Sequence, residues 1–486
     1  MPHATASGVL GFVSMALCAL ALTLHSPGHI SFDSSMQLHE AATGIAVSWN
    51  PPFMSALLRW FGGNALAPVA LMLIDVVGAY ACLWAVARSG IRANPDPAIA
   101  TWRVVLCVLL IANPVIFLYV GILWKDVLMA TLMLAALTLA LLASRAQGAR
   151  RVLLAVLAIA VLLPMPLTRQ QGLFLLPILL IAPARLLLPR AGGRADRLLR
   201  TTTVVLSTVL AMMVLSFAVG RTIRGGAGRD VSNGTRAVMA YDIAGAIARS
   251  RSAGQSMMNL LQPPAPAWER ITVLYSSSRS DPLVNDPVAG PYLGRIKPVL
   301  MQKAWWNLVH EHFGVWVRQR WDVFTWLLDT HDLQRCLPIH VGITGMPDYL
   351  DEMHIRQGSD ERDNLLFALS TRAQSTVLYR NWFYALLLPV ALVLVWLARS
   401  LGPARAVLIV HLLGLIAYLL SFLPTSIACD FRYLYPLIPS LSGILIALLL
   451  APRIRRSNPD AQRSPNTGPS PHTASEPLPG ITSETE

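Results

Sequence analysis

The sequence predicts an all-α integral membrane protein with about ten transmembrane helices, an amphipathic-helix region in its outer loops and a mainly helical periplasmic domain. Composition is the first reason: 54% of the 486 residues are hydrophobic and 13% are charged, against roughly 25% charged residues in ordinary soluble domains. Mean hydropathy, at +0.53, is the second. The third is that the apolar residues gather in long runs, as bilayer-spanning helices require.

Ten apolar runs are candidates for crossing a bilayer, which takes roughly 18 or more residues. They are 8–25, 65–87, 104–123, 127–143, 152–166, 173–189, 201–220, 381–398, 404–423 and 434–451. Prolines interrupt the fifth and sixth. The chain then divides into spans 1–7 within 1–221, including a first periplasmic loop at 26–63, a periplasmic domain at 222–379, spans 8–10 within 380–452, and a tail at 453–486.

Arginines indicate the orientation of these spans. They concentrate in every second loop, at 88–103, 145–151, 185–200, 399–405 and 453–456. Since basic loops stay in the cytoplasm, both termini are predicted to be cytoplasmic, and the first span, which lacks a basic leader, is predicted to be retained. The net charge of +13 does not indicate nucleic acid, because the excess lies in inner loops that face anionic lipid. Abundant alanine and an excess of arginine over lysine suggest a GC-rich bacterial genome, so the membrane is predicted to be a bacterial inner membrane.

Two features lie outside the spans. Residues 453–486 are rich in Pro, Ser and Thr and have no aromatic residue, so a disordered tail is predicted. Cys336 and Cys429 are the two cysteines that fall outside the predicted spans, and they form a candidate outer disulfide.

Three short outer loops each carry one cation. "GILWKDVLMA" holds Lys125 beside Asp126, "TRQQG" holds Arg169 and "CDFRYLYP" holds Arg432. Taken singly, Lys125 could reach the interface beside a tryptophan with Asp126 capping the next helix, and Arg432 could belong to an aromatic belt. Together, cations gathered at one membrane face indicate an anion, and the anion expected there is a lipid phosphate.

The first outer loop, "SFDSSMQLHEAATGIAVSWNPPF", supplies an acid. Asp33 follows the first span and is a candidate general base. An alternative is a helix start, since Ser34 and Gln37 have the spacing of a capping box and Asp33 favours a helix N-terminus. Both interpretations can hold at once, because a carboxylate fixed at a helix start is well oriented.

This order of charged residues resembles the GT-C superfamily of polytopic membrane glycosyltransferases, especially bacterial members that use polyprenyl-phosphate-linked sugars. The resemblance covers the spans from 8 to 451, "YDIAGAI" at 241–247 and "AWWNLVHEHFGVWVRQRWDVF" at 304–324. It implies that Asp33 binds or deprotonates the acceptor, and that Lys125, Arg169 and Arg432 bind the lipid phosphate.

Supporting or acceptor-binding roles are predicted for a further set of residues: Asp126, Gln37, Glu40, Trp49, Asn50, Gln170, Asp242 and Tyr433. The family often has two neighbouring acids in its first loop, whereas here Asp33 precedes two serines. The requirement for a divalent cation such as Mg²⁺ or Mn²⁺ is therefore left open. The stretch "WWNLVHEHFGVWVRQRWDVFTWLL" at 305–328 is predicted to be one amphipathic helix, with Trp306, Val309, Phe313, Trp316 and Phe324 at helical spacing.

The predicted activity is sugar transfer from the lipid-linked donor to a hydroxyl of a glycolipid, polysaccharide or protein. The anomeric configuration inverts if Asp33 acts from the side opposite the phosphate. The alternative is a lipid-linked glycan polymerase or ligase, or a flippase or transporter of envelope glycans. Transporters place charges near the membrane midplane, whereas the charges noted here lie at one face. A polymerase or ligase would also work at that face.

Overall fold

The first part of the chain is almost entirely helical. The computed structural model describes residues 1–188, 193–225, 233–329 and 332–452; the tail predicted at 453–486 lies outside them. Eleven helices come first: α1 His3–His25, α2 Phe32–Thr43, α3 Phe53–Trp60, α4 Ala67–Ala93, α5 Thr101–Ile111, α6 Pro114–Tyr119, α7 Lys125–Arg145, α8 Gly148–Leu162, α9 Met165–Thr168, α10 Gly172–Leu187 and α11 Arg194–Thr222.

The rest of the described chain is also helical. Nine helices follow α11: α12 Asn233–Arg249, α13 Arg251–Leu261, α14 Ala265–Leu274, α15 Asp281–Val284, α16 Ala289–Arg295, α17 Pro298–Glu311, α18 Phe313–Asp329, α19 Pro347–Glu352 and α20 Glu361–Gln374. The last three are α21 Asn381–Leu397, α22 Pro403–Thr425 and α23 Leu437–Leu449, with 3-10 turns at Val377–Tyr379, Arg399–Leu401 and Phe431–Leu434. One parallel pair of two-residue strands, β1 Ile45–Ala46 and β2 Arg224–Gly225, joins the first loop to the end of α11.

Eight helical segments of the described chain are long and apolar enough to cross a membrane, so this is an all-α, multi-pass membrane protein. They are His3–His25, Ala67–Ala93, Thr101–Tyr119, Lys125–Arg145, Gly148–Thr168, Leu198–Thr222, Pro403–Thr425 and Phe431–Leu449. The two other predicted runs coincide with α10 and α21, which are apolar but have only 16 and 17 residues.

The helix α7 lies at the centre of the bundle. It packs against α4, α8, α22 and α23, and most of its side chains are buried. A glycine makes a close approach at the turn before it: a Cβ on Gly121 would lie 2.2 Å from the side chain of His25 at the end of α1. The turn that leads to Lys125 is therefore held directly against the end of the first span.

The region between α11 and α21 has its own hydrophobic core. Its helices α12, α13 and α17 pack together around buried residues such as Tyr241, Met257 and Leu308. The stretch 305–328 is not one helix, because α17 ends at Glu311 and α18 begins at Phe313. Trp306 and Phe313 are exposed whereas Phe324 is buried, so the prediction of a single helix with one apolar face is wrong.

A buried carboxylate lies inside a span where none was expected. Asp75 is part of α4, eight residues after Ala67, or about 12 Å along the helix axis at the usual rise per residue. The expectation that the charges lie only at one membrane face is therefore wrong for this residue.

Candidate functional site

Three chain segments run side by side at the end of the bundle where α7 begins. The amide of His29 donates to Gly121 O at 3.1 Å, and the amide of Leu123 donates back to His29 O at 3.0 Å. On the other side, the amide of Ile30 donates to Gly342 O at 3.0 Å. Backbone pairing thus fixes the start of the first loop against the turn before α7, which brings Asp33 and Lys125 to the same end of the bundle.

The helix that carries Asp33 begins earlier than the sequence suggested. α2 starts at Phe32 with Ser31 as its N-cap, whose hydroxyl oxygen lies 3.5 Å from the amide of Ser34. The capping box predicted from Ser34 and Gln37 is therefore wrong, because Ser34 donates instead to Leu123 O at 2.5 Å. Asp33 lies in the first turn of the helix, as predicted, where the helix dipole favours a negative charge.

Arg432 lies between two carboxylates. Its Nη2 is 2.7 Å from Asp33 Oδ2, and its Nε is 3.2 Å from Asp430 Oδ2. The guanidinium carbon also lies 4.8 Å from the ring centroid of Trp124, and the indole N–H of Trp124 donates to Ser31 Oγ at 2.8 Å. The cation of the loop before α23 and the acid of the loop after α1 are thus in direct contact.

Arg169 forms a buried ion pair with Asp126. Its Nε also donates to Gln171 Oε1 at 3.0 Å. The ring of Tyr433 lies between the two arginines, 4.6 Å from the guanidinium carbon of Arg169 and 5.7 Å from that of Arg432. The contact between two different loops, one before α10 and one before α23, therefore runs through Tyr433.

Lys125 differs from the two arginines in its partners. Its ammonium donates to Asn50 Oδ1 and lies 5.4 Å from the ring centroid of Trp49. Within the described ranges no carboxylate comes within ion-pairing distance of it, whereas Arg169 has one such partner and Arg432 has two. An amide oxygen and an aromatic face both orient an ammonium.

The electrostatic environment keeps Asp33 ionised. Burial alone would raise the pKa of this carboxyl, but Arg432 and Lys125 outweigh that effect and hold the pKa below its ordinary value of 3.8. The side chain is 33% exposed, the most accessible of the site's ion-paired carboxylates. A charged, reachable carboxylate thus lies beside a cluster of cations.

Glu40 has a different environment from Asp33. One carboxylate oxygen accepts hydrogen bonds from the amides of Val47 and Ser48 and from the Ser48 hydroxyl, at 2.7–2.9 Å. The other accepts from the Ser55 hydroxyl at 2.6 Å. We interpret Glu40 as the residue that shapes the segment carrying Trp49 and Asn50.

Asp242 lies in the core of the region between α11 and α21. Its carboxylate is 2.6 Å from Arg320 Nη2 and accepts from the indole N–H groups of Trp305 and Trp316, at 2.8 and 3.1 Å. Burial raises its pKa, and Arg320 opposes the rise. These contacts join α12, α17 and α18, so the structure does not bring Asp242 together with Asp33 and the cations.

Two glutamines among the predicted residues lie at the edges of the site. Gln37 is one turn after Asp33 and is buried, with no hydrogen-bond partner for its Nε2 in the described part of the chain. Gln170 is exposed, and its Nε2 lies 3.5 Å from where a Cβ on Gly234 would be, with the ring of Trp49 at 3.8 Å from that point. The start of α12 therefore lies close to both loops.

Sequence reasoning missed Asp430 altogether. It lies two residues before Arg432 and contacts it, and the acidic residue next to Cys429 was the available signal. The disulfide between Cys336 and Cys429 is present, which confirms that prediction. Within the described ranges, no group of three or more His, Cys, Asp or Glu side chains could hold a metal ion.

Family models, curated proteins and solved structures were compared with the chain, and none matches it. The fold and the site therefore define the class by themselves: a multi-pass α-helical membrane protein with a cluster of three cations and three carboxylates at one end of its bundle.

Proposed function

We propose that this protein is a membrane glycosyltransferase that moves a sugar from a polyprenyl-phosphate-linked donor to an acceptor hydroxyl at the periplasmic face. The observation that carries the proposal is the arrangement around Lys125. The Lys125 side chain, which has no carboxylate within ion-pairing distance in the described chain, lies in the same cluster as Arg169, Arg432 and the accessible Asp33. Cations and a carboxylate at one end of a membrane bundle suit a lipid phosphate and an acceptor.

Such a reaction needs both kinds of group. When a glycosyl phosphate breaks at the anomeric carbon, negative charge grows on the departing phosphate and the acceptor hydroxyl loses a proton. Lys125 and Arg432 stabilise the phosphate, and Asp33 takes the proton. Arg169 keeps its buried partner Asp126 and aligns Tyr433 between the two arginines.

Asp33 would become a stronger base once the donor is in place. Its pKa is held low by Arg432 and Lys125, so the carboxylate alone has little tendency to take a proton. A phosphate that contacts these two cations offsets their charge, and the proton affinity of Asp33 rises. Attack from the face opposite the phosphate would invert the anomeric configuration.

We propose ten spans with both termini in the cytoplasm of a bacterial inner membrane and residues 222–379 in the periplasm. The two short apolar helices α10 and α21 complete the ten. The short loops at the site end of the bundle are those without the arginine excess, which supports a periplasmic site. The acceptor is a glycolipid, polysaccharide or protein. Mg²⁺ or Mn²⁺ dependence is left to experiment.

A flippase or transporter of envelope glycans is the second candidate, because of Asp75. A buried carboxylate within a span often marks a transport pathway. A lipid-linked glycan polymerase or ligase shares the location and the charges of the proposed site. The proposed transferase is favoured over a transporter because the charged cluster lies at the end of the bundle.

Lys125→Met should raise the KM for a lipid-linked sugar donor about 10- to 100-fold, the usual cost of losing a charge-assisted hydrogen bond. The acceptor KM should stay within about twofold. Initial rates at varied donor concentrations, measured in nanodiscs, test this prediction. Lys303→Met, an exposed lysine of α17, is the matched control and should leave the donor KM unchanged. An unchanged donor KM in the Lys125 variant would remove Lys125 from the phosphate site.

A further inference from the structure

We propose that Asp430 is a positioning residue that orients the guanidinium of Arg432 toward the donor phosphate. Through Asp430, that orientation also depends on the region between α11 and α21. The inference rests on the proposed function of the site, and it adds a residue that contacts neither acceptor nor donor. It concerns the loop 426–432, which connects α22 to the turn before α23.

Asp430 contacts two arginines. Oδ2 lies 3.2 Å from Arg432 Nε, and Oδ1 lies 3.6 Å from Arg279 Nη2. The carboxylate is buried, with 3% of the residue exposed. Burial raises the pKa of Asp430, and Arg432 and Arg279 oppose that rise, so its charge depends on both arginines.

The way the loop is held also supports the inference. The amide of Cys429 donates to Ser278 O at 2.8 Å, and the amide of Ser280 donates to Ile427 O at 2.9 Å. On the other side, the amide of Phe431 donates to Cys336 O at 2.8 Å, next to the Cys336–Cys429 disulfide. Two segments of the α11–α21 region thus fix the backbone on both sides of Asp430.

The consequence concerns the plane of the Arg432 guanidinium. A guanidinium recognises phosphate through two parallel N–H groups, so its plane decides whether the contact is bidentate. Asp430 forms an ion pair with the Nε edge of Arg432, and Asp33 forms one with Nη2. Removing Asp430 would leave the charge of Arg432 in place and leave its orientation to Asp33 alone.

The test measures equilibrium binding of farnesyl phosphate to the full-length protein in detergent, with farnesol as the uncharged comparison. Asp430→Asn should weaken farnesyl phosphate binding on the order of tenfold or more, as displaced positioning groups do, and leave farnesol binding unchanged. The matched control is Asp281→Asn. Asp281 also contacts Arg279, with Oδ2 2.5 Å from its Nε, but it is 51% exposed. Its loss should change binding by less than about twofold.

A double-mutant cycle separates positioning from a general structural role. If Asp430 acts through Arg432, then Asp430→Asn should cost less than about twofold in an Arg432→Met background. An equal loss in both backgrounds would overturn the inference. If the Asn variant does not fold, Asp430→Glu keeps the charge and shifts it by one methylene; unchanged binding in that variant would also overturn it.

The same experiment distinguishes a failure of this inference from a failure of the proposed function. If the unaltered protein does not prefer farnesyl phosphate to farnesol, the phosphate site is wrong and both proposals fall. If it does prefer farnesyl phosphate and the cycle is additive, only the role of Asp430 falls.

Discussion

Asp33→Asn should reduce sugar transfer by ~10²-fold or more, the usual cost of losing a general base. The amide keeps the size of the side chain, and Ser31 remains the N-cap of α2, so the protein should insert and accumulate normally. It cannot take a proton from the acceptor. The measurement is turnover at saturating donor and acceptor, in membranes with matched protein levels.

Two further variants serve as comparisons for Asp33→Asn. Asp348→Asn removes a carboxylate from the first turn of another helix, α19, and should leave turnover unchanged. Glu40→Gln should act differently, by disturbing the hydrogen bonds to Val47, Ser48 and Ser55, and so should lower thermal stability together with activity. Near-normal turnover in the Asp33 variant would mean that Asp33 is not the base and is only a negative charge at the start of α2. An inactive, fully stable Glu40 variant would make Glu40 the base.

Arg169→Met should destabilise the protein by about 3–5 kcal/mol, because it leaves the buried carboxylate of Asp126 without its cation. The second change Asp126→Asn should recover much of this loss, since no unpaired buried charge then remains. Unfolding of the purified protein in mild detergent, followed by the temperature dependence of far-UV circular dichroism, measures both effects.

The control for Arg169 is an exposed pair of similar chemistry. Arg200 lies 3.0 Å from Asp196 on the surface of α11, and Arg200→Met should cost less than about 1 kcal/mol. If Arg169→Met is as mild as Arg200→Met, the buried ion pair contributes little. If Asp126→Asn fails to restore stability, Arg169 is needed for contacts beyond that pair, such as those with Tyr433.

Much of the helical architecture could be predicted because it depends on local composition. An apolar run long enough to cross a bilayer must satisfy its own backbone, and a helix does so within one segment. Helix ends were predicted less well. The cap of α2 moved to Ser31 because Ser34 bonds to Leu123, a contact made across the fold. The break between α17 and α18 at His312 was not predicted, and Asp75 was overlooked although it stands inside the predicted run 65–87.

The residues that form the charged cluster could be predicted better than the ion pairs between them. Sidedness of the loops brought Lys125, Arg169 and Arg432 into one group, and the structure places them around Asp33. Which cation meets which carboxylate depends on side-chain geometry. Asp430 was missed for that reason, and Asp242 was grouped with the site although its partners are Arg320 and two tryptophans.

The most direct test of the proposed transfer is the identity of the lipid released. The purified protein in nanodiscs is given a polyprenyl-phosphate-linked sugar with candidate acceptors, and the lipid products are followed by mass spectrometry. We predict release of polyprenyl monophosphate and a gain of one sugar on the acceptor, with both lost in Asp33→Asn. An intact donor moved between leaflets would contradict the proposed transfer, and so would activity confined to diphosphate-linked glycans with release of polyprenyl diphosphate.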